Sequence, residues 1–196
     1  MNKIKLLLVI IGLLCFAIPS FAQNKSKAKT ARKEKPHLVF MDTPIVGTIA
    51  EFADKLTEKH PELQEETRND SVIVLKGKYY LFDESEILIS KSKISSDVGC
   101  VMVAIFNLDE KDKSNAINLY IDLSLKYKEV EAKVGEVLGV ATAVWETKRG
   151  KISWIMTGDT TSVIYTDYAE IERENKMELE KIRKKKEVRE KASKDI

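Results

Sequence analysis

An α+β fold, with a mostly antiparallel sheet and its helices on one face, is what this sequence predicts, and three observations carry the prediction. Short runs of β-branched and apolar residues recur between turn formers, as at 71–75, 98–108 and 152–156. Two other stretches space their apolar residues as a helix does. The order along the chain reads helix, three or four strands, helix, three strands, which suggests two copies of a helix-plus-three-strand unit. A charged C-terminal helix follows them.

The first 22 residues have the build of a cleaved secretory signal peptide. Lys3 and Lys5 precede an apolar run from Leu6 to Ile18, and the small-residue site Ser20-Phe21-Ala22 stands before Gln23. That run is shorter than the roughly 20 apolar residues of a spanning helix. The expected product begins at Gln23 and works in the periplasm or outside the cell; retention of the segment as a membrane anchor is the alternative. Leu14, large and directly ahead of Cys15, suits lipoprotein processing poorly.

The chain has 33 basic and 31 acidic residues. Lys3 and Lys5 leave with the signal, so the 33 fall to 31 and the exported chain is formally neutral. Bulk attraction to nucleic acid is not expected, because it rests on neutralising phosphates with a net basic surface. The remaining length suits a single domain with its own core. Of the two cysteines only Cys100 survives cleavage, so no intramolecular disulfide can form. It lies in the apolar run 98–106 and is expected to be a buried core residue.

Residues 23–36 hold six basic side chains, one acid and no large apolar residue. Such a segment buries too little surface to offset its ordering entropy, and reads as a disordered basic arm. The α+β domain then spans 37–168. His37-Leu38-Val39-Phe40 opens it as a short strand. Thr48, followed three residues later by Glu51, fits a capping box. Ile49, Phe52, Ala53 and Leu56 recur at helical spacing, and Pro61 ends the helix near His60.

Strands are expected at 71–75 and 79–82, joined by a turn at Lys76-Gly77-Lys78, and again at 86–90. Residues 98–108 should be the most buried strand. Asp109 to Lys113 reads as a charged loop, after which Ser114 caps a helix bearing Ala116, Ile117, Tyr120, Leu123 and Leu125. Val130, Val134, Val137 and Leu138 continue at a period of three to four, with Gly139 placed as a helix cap. A hairpin of 140–146 and 152–156, turning at Lys148-Arg149-Gly150-Lys151, leads to a last strand at 162–168.

Residues 169–196 are a charged helical tail. From Glu170 to Asp195 there are ten basic and eight acidic residues, and no glycine or proline. The apolar stripe is too thin for core packing. A solvated helix is the plain reading; a helix that recognises an envelope protein or an anionic surface is the sharper one. Arg183, Lys184, Lys185 and Lys186 are its candidate binding residues.

The stretch Phe40-Met41-Asp42-Thr43-Pro44-Ile45-Val46-Gly47-Thr48, with Phe52 and Leu56, resembles the opening of a group of uncharacterised secreted proteins of Gram-negative gut bacteria. Their shared pattern is an aromatic residue, a Pro-x-x-Gly-Thr turn, a short helix and strands, then a second helix ahead of a hairpin. Leu138-Gly139 and the hairpin with Trp145 and Trp154 stand as the later counterpart, and the likeness spans about 38–168. The duplicated layout also resembles the β-lactamase-inhibitor-protein-like fold. Neither resemblance implies any site residue.

Inventory argues against chemistry. His37 and His60 are far apart in sequence, and zinc sites want clustered His and Cys. His60 reads as an exposed cap. Asp83-Glu84-Ser85-Glu86 lacks the glycine and ordered spacing of a calcium loop. No Gly-x-Ser-x-Gly elbow or phosphate-cradling glycine run appears. No catalytic residue, cofactor or metal site is therefore predicted. Trp145, Trp154, Tyr165 and Tyr168 offer an aromatic surface only if they face outward, and the alternation of Ile152, Trp154 and Met156 points Trp154 inward. The expected function is a non-catalytic exported module that binds a protein through its sheet or its tails. A small-ligand carrier or enzyme, with a pocket between sheet and helices, is the alternative.

Overall fold

Thr48 and Glu51 form the capping box that their spacing predicts. The Thr48 hydroxyl accepts from the Glu51 amide at 3.3 Å, and the Glu51 carboxylate accepts from the Thr48 amide at 2.9 Å, which satisfies two donors the first turn leaves free. Helix α1 (Ile49–Lys59) buries Ile49, Phe52, Ala53 and Leu56 and ends at His60. The computed structural model describes residues 36–192, so segments 1–22 and 23–35 and the last four residues lie outside the described residues. Ahead of α1, β1 (Val39–Phe40) and β2 (Thr43–Pro44) make a small hairpin. Both its turn residues, Met41 and Asp42, have positive φ (42° and 58°), a conformation that a short side chain such as Asp42 tolerates.

The first unit continues with β3 (Gln64–Arg68), β4 (Val72–Tyr79), β5 (Phe82–Lys91) and β6 (Val98–Phe106). The second has helix α2 (Glu110–Lys126), then β7 (Lys133–Val137), β8 (Val140–Thr147), β9 (Gly150–Met156) and β10 (Thr160–Asp167). Helix α3 (Tyr168–Ala192) follows without a break. The eight long strands form one antiparallel sheet in the order β3-β4-β5-β6-β10-β9-β8-β7. Two like units thus join through their last strands.

Pairing register sets the core. Ile73, Ile89, Val101, Tyr165, Ile152 and Trp145 form one continuous cross-strand row. Leu75, Ile87, Val103, Val163, Trp154 and Ala143 form the next. All twelve are buried, and they join the buried residues of α1 and α2 in one cluster. Alternate residues point to the opposite face. Val74, Leu88, Ile164 and Val144 there are only partly buried. Trp145, Trp154 and Tyr165 are core residues, so they form no outward aromatic surface.

The outline predicted from the sequence stands: the first unit has four strands, where three or four were expected, and the second has four, where three were expected. β3 is all polar, with no apolar alternation to announce it. The stretch around Val134, expected as helix, is the strand β7, because it pairs with β8 through the two-residue turn Leu138-Gly139. Helix α2 begins a turn earlier than Ser114, since Asp109 is the cap: its carboxylate accepts from the Asp112 amide at 2.8 Å. No turn forms at Lys76-Gly77-Lys78. β4 runs on through a register shift beyond Gly77, and the chain reverses at Tyr80-Leu81. Cys100 sits half-buried on the sheet's other face, its Sγ 3.0 Å from the Ser90 hydroxyl, so the apolar run around it hid the alternation of faces. His60 is half-buried, its Nε2 2.9 Å from the Met41 carbonyl.

Candidate functional site

The sheet ends in two unlike edges. β3 is exposed throughout, carries Glu65, Glu66 and Arg68, and has an irregular register between Glu65 and Thr67. Arg68 pairs with Glu65 and Asp54, and Glu66 with Lys76. Charges and an irregularity of this kind keep an edge from recruiting another strand. The other edge, β7, is Lys133-Val134-Gly135-Glu136-Val137, regularly paired along its inner side and exposed at all five positions. Lys133 turns back onto Glu146 at 3.0 Å. Val134 and Val137 are 69% and 70% exposed, and Leu138 at the hairpin tip is 99% exposed.

Leu138 also holds a positive φ of 53°, next to Gly139 at 75°. The two-residue turn demands that conformation, which asparagine or glycine supplies at less cost than leucine. A large apolar side chain therefore stands fully in solvent at a position that suits it poorly. It was legible in the sequence only as a supposed helix end.

The second helix carries an apolar surface of its own. Leu119, Leu123 and Ala116 face the core, and Tyr120 rests against Trp145 and Trp154, at ring separations of 5.9 and 5.3 Å. The Trp154 indole N–H beneath it has no acceptor among the described residues. Ile117 and Leu125, expected on this helix, are 51% and 64% exposed, and Ile121 between them is 47% exposed. Spaced by four, these three make an exposed apolar stripe on the side of the helix turned away from its buried residues. Single-sequence periodicity could not separate this stripe from the buried one, because both repeat at helical spacing.

Helix α3 is fastened to the sheet domain through its first turns. Asp167, 2% exposed, caps it by accepting from the Ala169 amide at 2.9 Å. The buried Glu170 carboxylate accepts from the Ser92 hydroxyl at 2.6 Å. Arg173 binds Glu170 and reaches Ser95 and Asp97 in the β5–β6 connection. From Glu178 through Arg189 every side chain is exposed. Arg183, Lys184, Lys185 and Lys186 are in this stretch, with Arg183 3.5 Å from Glu187. The structure thus separates the predicted basic stretch from the buried anchor of the same helix.

Pocket chemistry is modest. A shallow depression of about 340 Å³ lies at the β4–β5 turn, with Lys78, Tyr80 and Lys111 on its wall. Lys78 is held by Asp83 at 2.9 Å, and that contact keeps the Asp83 carboxyl below its usual range. Among the described residues no group of His, Cys, Asp and Glu is arranged to hold a metal ion. Deep in the core the Tyr79 and Tyr165 hydroxyls share a 2.8 Å hydrogen bond beside Phe40, and burial raises both phenols above their ordinary pKa.

The fold and these surfaces define a sheet-centred α+β domain with one unguarded edge and a charged helical extension. Comparison with protein-family models, curated proteins and solved structures finds no match. Among the described residues, no helix is long and apolar enough to cross a membrane.

Proposed function

We propose that this protein is a non-catalytic binding module, exported to the cell envelope or beyond, that engages a protein partner through its β7–β8 hairpin. One observation carries the reading: β7 leaves its outer backbone edge open while the tip beside it holds Leu138 wholly in solvent. An extended partner segment that pairs with β7 would complete the ladder and cover Val137 and Leu138. The guarded β3 edge supports it, since the same chain blunts one edge and not the other. Export rests on the first 22 residues.

The test is capture of partners from an envelope fraction by the chain from Gln23, beside the same chain carrying Leu138→Asp. A partner held by the first and lost by the second is the expected result. Equal retention by both would remove the hairpin from recognition. Mass spectrometry of the natural N-terminus checks the address: Gln23 is expected, and Met1 would mean a retained segment.

A further inference from the structure

Asp167, the cap of α3, also holds the start of the described chain. Its carboxylate accepts from the Leu38 amide at 2.7 Å and lies 3.1 Å from His37 Nδ1. The His37 ring stacks on Tyr168, the first residue of α3, with centroids 5.4 Å apart. The covalent continuation ahead of His37 is the basic segment 23–36, with six basic residues and one acid. On the other side of the same carboxylate, α3 leads to residues 181–189, again with six basic residues and one acid. Two basic segments far apart in sequence are thus rooted at one place on the domain.

The rest of the exported chain has the opposite charge. Setting those twelve bases and two acids aside from 31 of each leaves 19 basic residues against 29 acidic. Formal neutrality therefore hides an acidic body with two basic segments. A rise of 1.5 Å per residue puts Arg189 about 24 Å beyond Arg173, which fastens α3 to Asp97. That is about three Debye lengths at physiological salt, so the body's acids scarcely act on the end of the helix. Arg183, Lys184, Lys185 and Lys186 are exposed. They follow one another at steps of about 100°, and so surround the helix instead of lining one side. Leu179 and Ile182 stand beside them, 63% and 56% exposed.

We propose that these two basic segments hold the protein on an anionic lipid bilayer. A continuous layer of negative headgroups accepts charge from any side of a helix, whereas a protein groove selects one face. Each Lys or Arg near such a surface strengthens binding about fivefold. One segment of this kind binds weakly, and two with a common root bind together, because each raises the local concentration of the other. Leu179 and Ile182 add a shallow apolar contact at the headgroup boundary. The hairpin stays clear of the bilayer: β8 runs from Val140 at the tip to Thr147, which pairs with Gly150, the partner of Asp167. Tip and root are at opposite ends of the sheet, so lipid binding and hairpin recognition are separate.

Flotation of the chain from Gln23 with vesicles tests this. One set is pure phosphatidylcholine and the other contains about 30% phosphatidylglycerol. Binding to the anionic set alone is expected, with release by added salt. Arg183→Gln, Lys184→Gln, Lys185→Gln and Lys186→Gln in one chain should weaken it at least about a hundredfold. Lys25→Gln, Lys27→Gln, Lys29→Gln and Arg32→Gln in another should do the same, while Leu138→Asp binds as the parent does. Thermal melts of the α3 variant should match the parent, since the four side chains are exposed. No binding to anionic vesicles at low salt overturns the proposal. So does equal, salt-insensitive binding to both sets, which would mean adsorption through the apolar stripe of α2. Either glutamine variant binding like the parent refutes the shared grip, as does capture by soluble polyphosphate with none by vesicles.

Discussion

Asp167→Ala should cost this domain about 3–5 kcal/mol, a large share of the roughly 5–15 kcal/mol that a domain has. Its carboxylate, 2% exposed, accepts from the Leu38 amide at 2.7 Å and the Ala169 amide at 2.9 Å, and lies 3.1 Å from His37 Nδ1. One side chain thus ties the N-terminal strap to the end of β10 and the start of α3. Hydrogen bonds to a charged acceptor contribute about 1.5–3 kcal/mol each. Alanine removes two from backbone donors and strands the Leu38 amide next to side chains that are 1% exposed at Leu38 and Phe40. Urea denaturation of both proteins reads the change as a lower midpoint at unchanged slope. Hydrogen exchange should find the Leu38 amide newly labile. Asp167→Asn keeps one acceptor and should lose about half as much. A loss under about 1 kcal/mol for the alanine variant would refute the reasoning, since it would mean that the strap holds by apolar packing alone.

The turn at Leu138, the crowding at Gly150 and the burial of Tyr127 each set a further outcome. Leu138→Asn should raise stability by roughly 0.5–1 kcal/mol, by relieving the left-handed turn, while reducing partner capture; a destabilised variant would mean the leucine has a folded-state contact. Gly150→Ala should lower stability by at least about 2 kcal/mol, because the added carbon would lie 2.3 Å from the Thr166 carbonyl oxygen at a φ of 150°; thermal melts decide it. Burial, and then the neighbouring Glu129, push the Tyr127 phenol up to about 12 from 10.0. The folded state therefore keeps a proton that the unfolded state releases, so stability is full below pH 10 and falls as pH rises toward 12. Tyr127→Phe should flatten that fall, and an unchanged pH profile would count against it.

The sequence spoke most clearly where one physical demand acted alone. Thr48 and Glu51 announced α1 because a helix start has unmet donors and those side chains supply the partners. The alternation through Ile152, Ser153 and Trp154 announced β9 because Ile152 and Trp154 face the core and Ser153 does not. Legibility failed where two periods coincided. Val134, Val137 and Leu138 fit a helical spacing, yet pairing with Ala143 and Val140 made them strand and turn. Ile117, Ile121 and Leu125 repeat every four residues as Leu119 and Leu123 do, but do not share their burial. β3 offered no apolar pattern at all, since every one of its side chains is exposed. The basic stretch at Arg183 to Lys186 was plain from composition, whereas the lock at Glu170 and Arg173 needed three dimensions: its partners Ser92 and Asp97 lie more than 70 residues away in sequence.

The order of the strands fixes when this molecule can become itself. β10, the last strand along the chain, lies in the middle of the sheet, between β6 and β9. Its residues pair with β6 partners 54 to 64 positions earlier. Until β10 arrives, the first four strands end in the bare side of β6, where Val101, Val103 and Ile105 have neighbours on one side only. A chain threaded from its N-terminus, through a ribosome or a pore, can complete neither half-sheet while residues 160–167 remain inside. Folding is thus held back to the end of passage, and the first half travels with its stickiest strand uncovered. Such late, long-range closure is slow, and it exposes the intermediate to aggregation or to a chaperone. A circularly permuted chain that begins at β7 and ends at β6 would move that vulnerable interval to the other half without removing it.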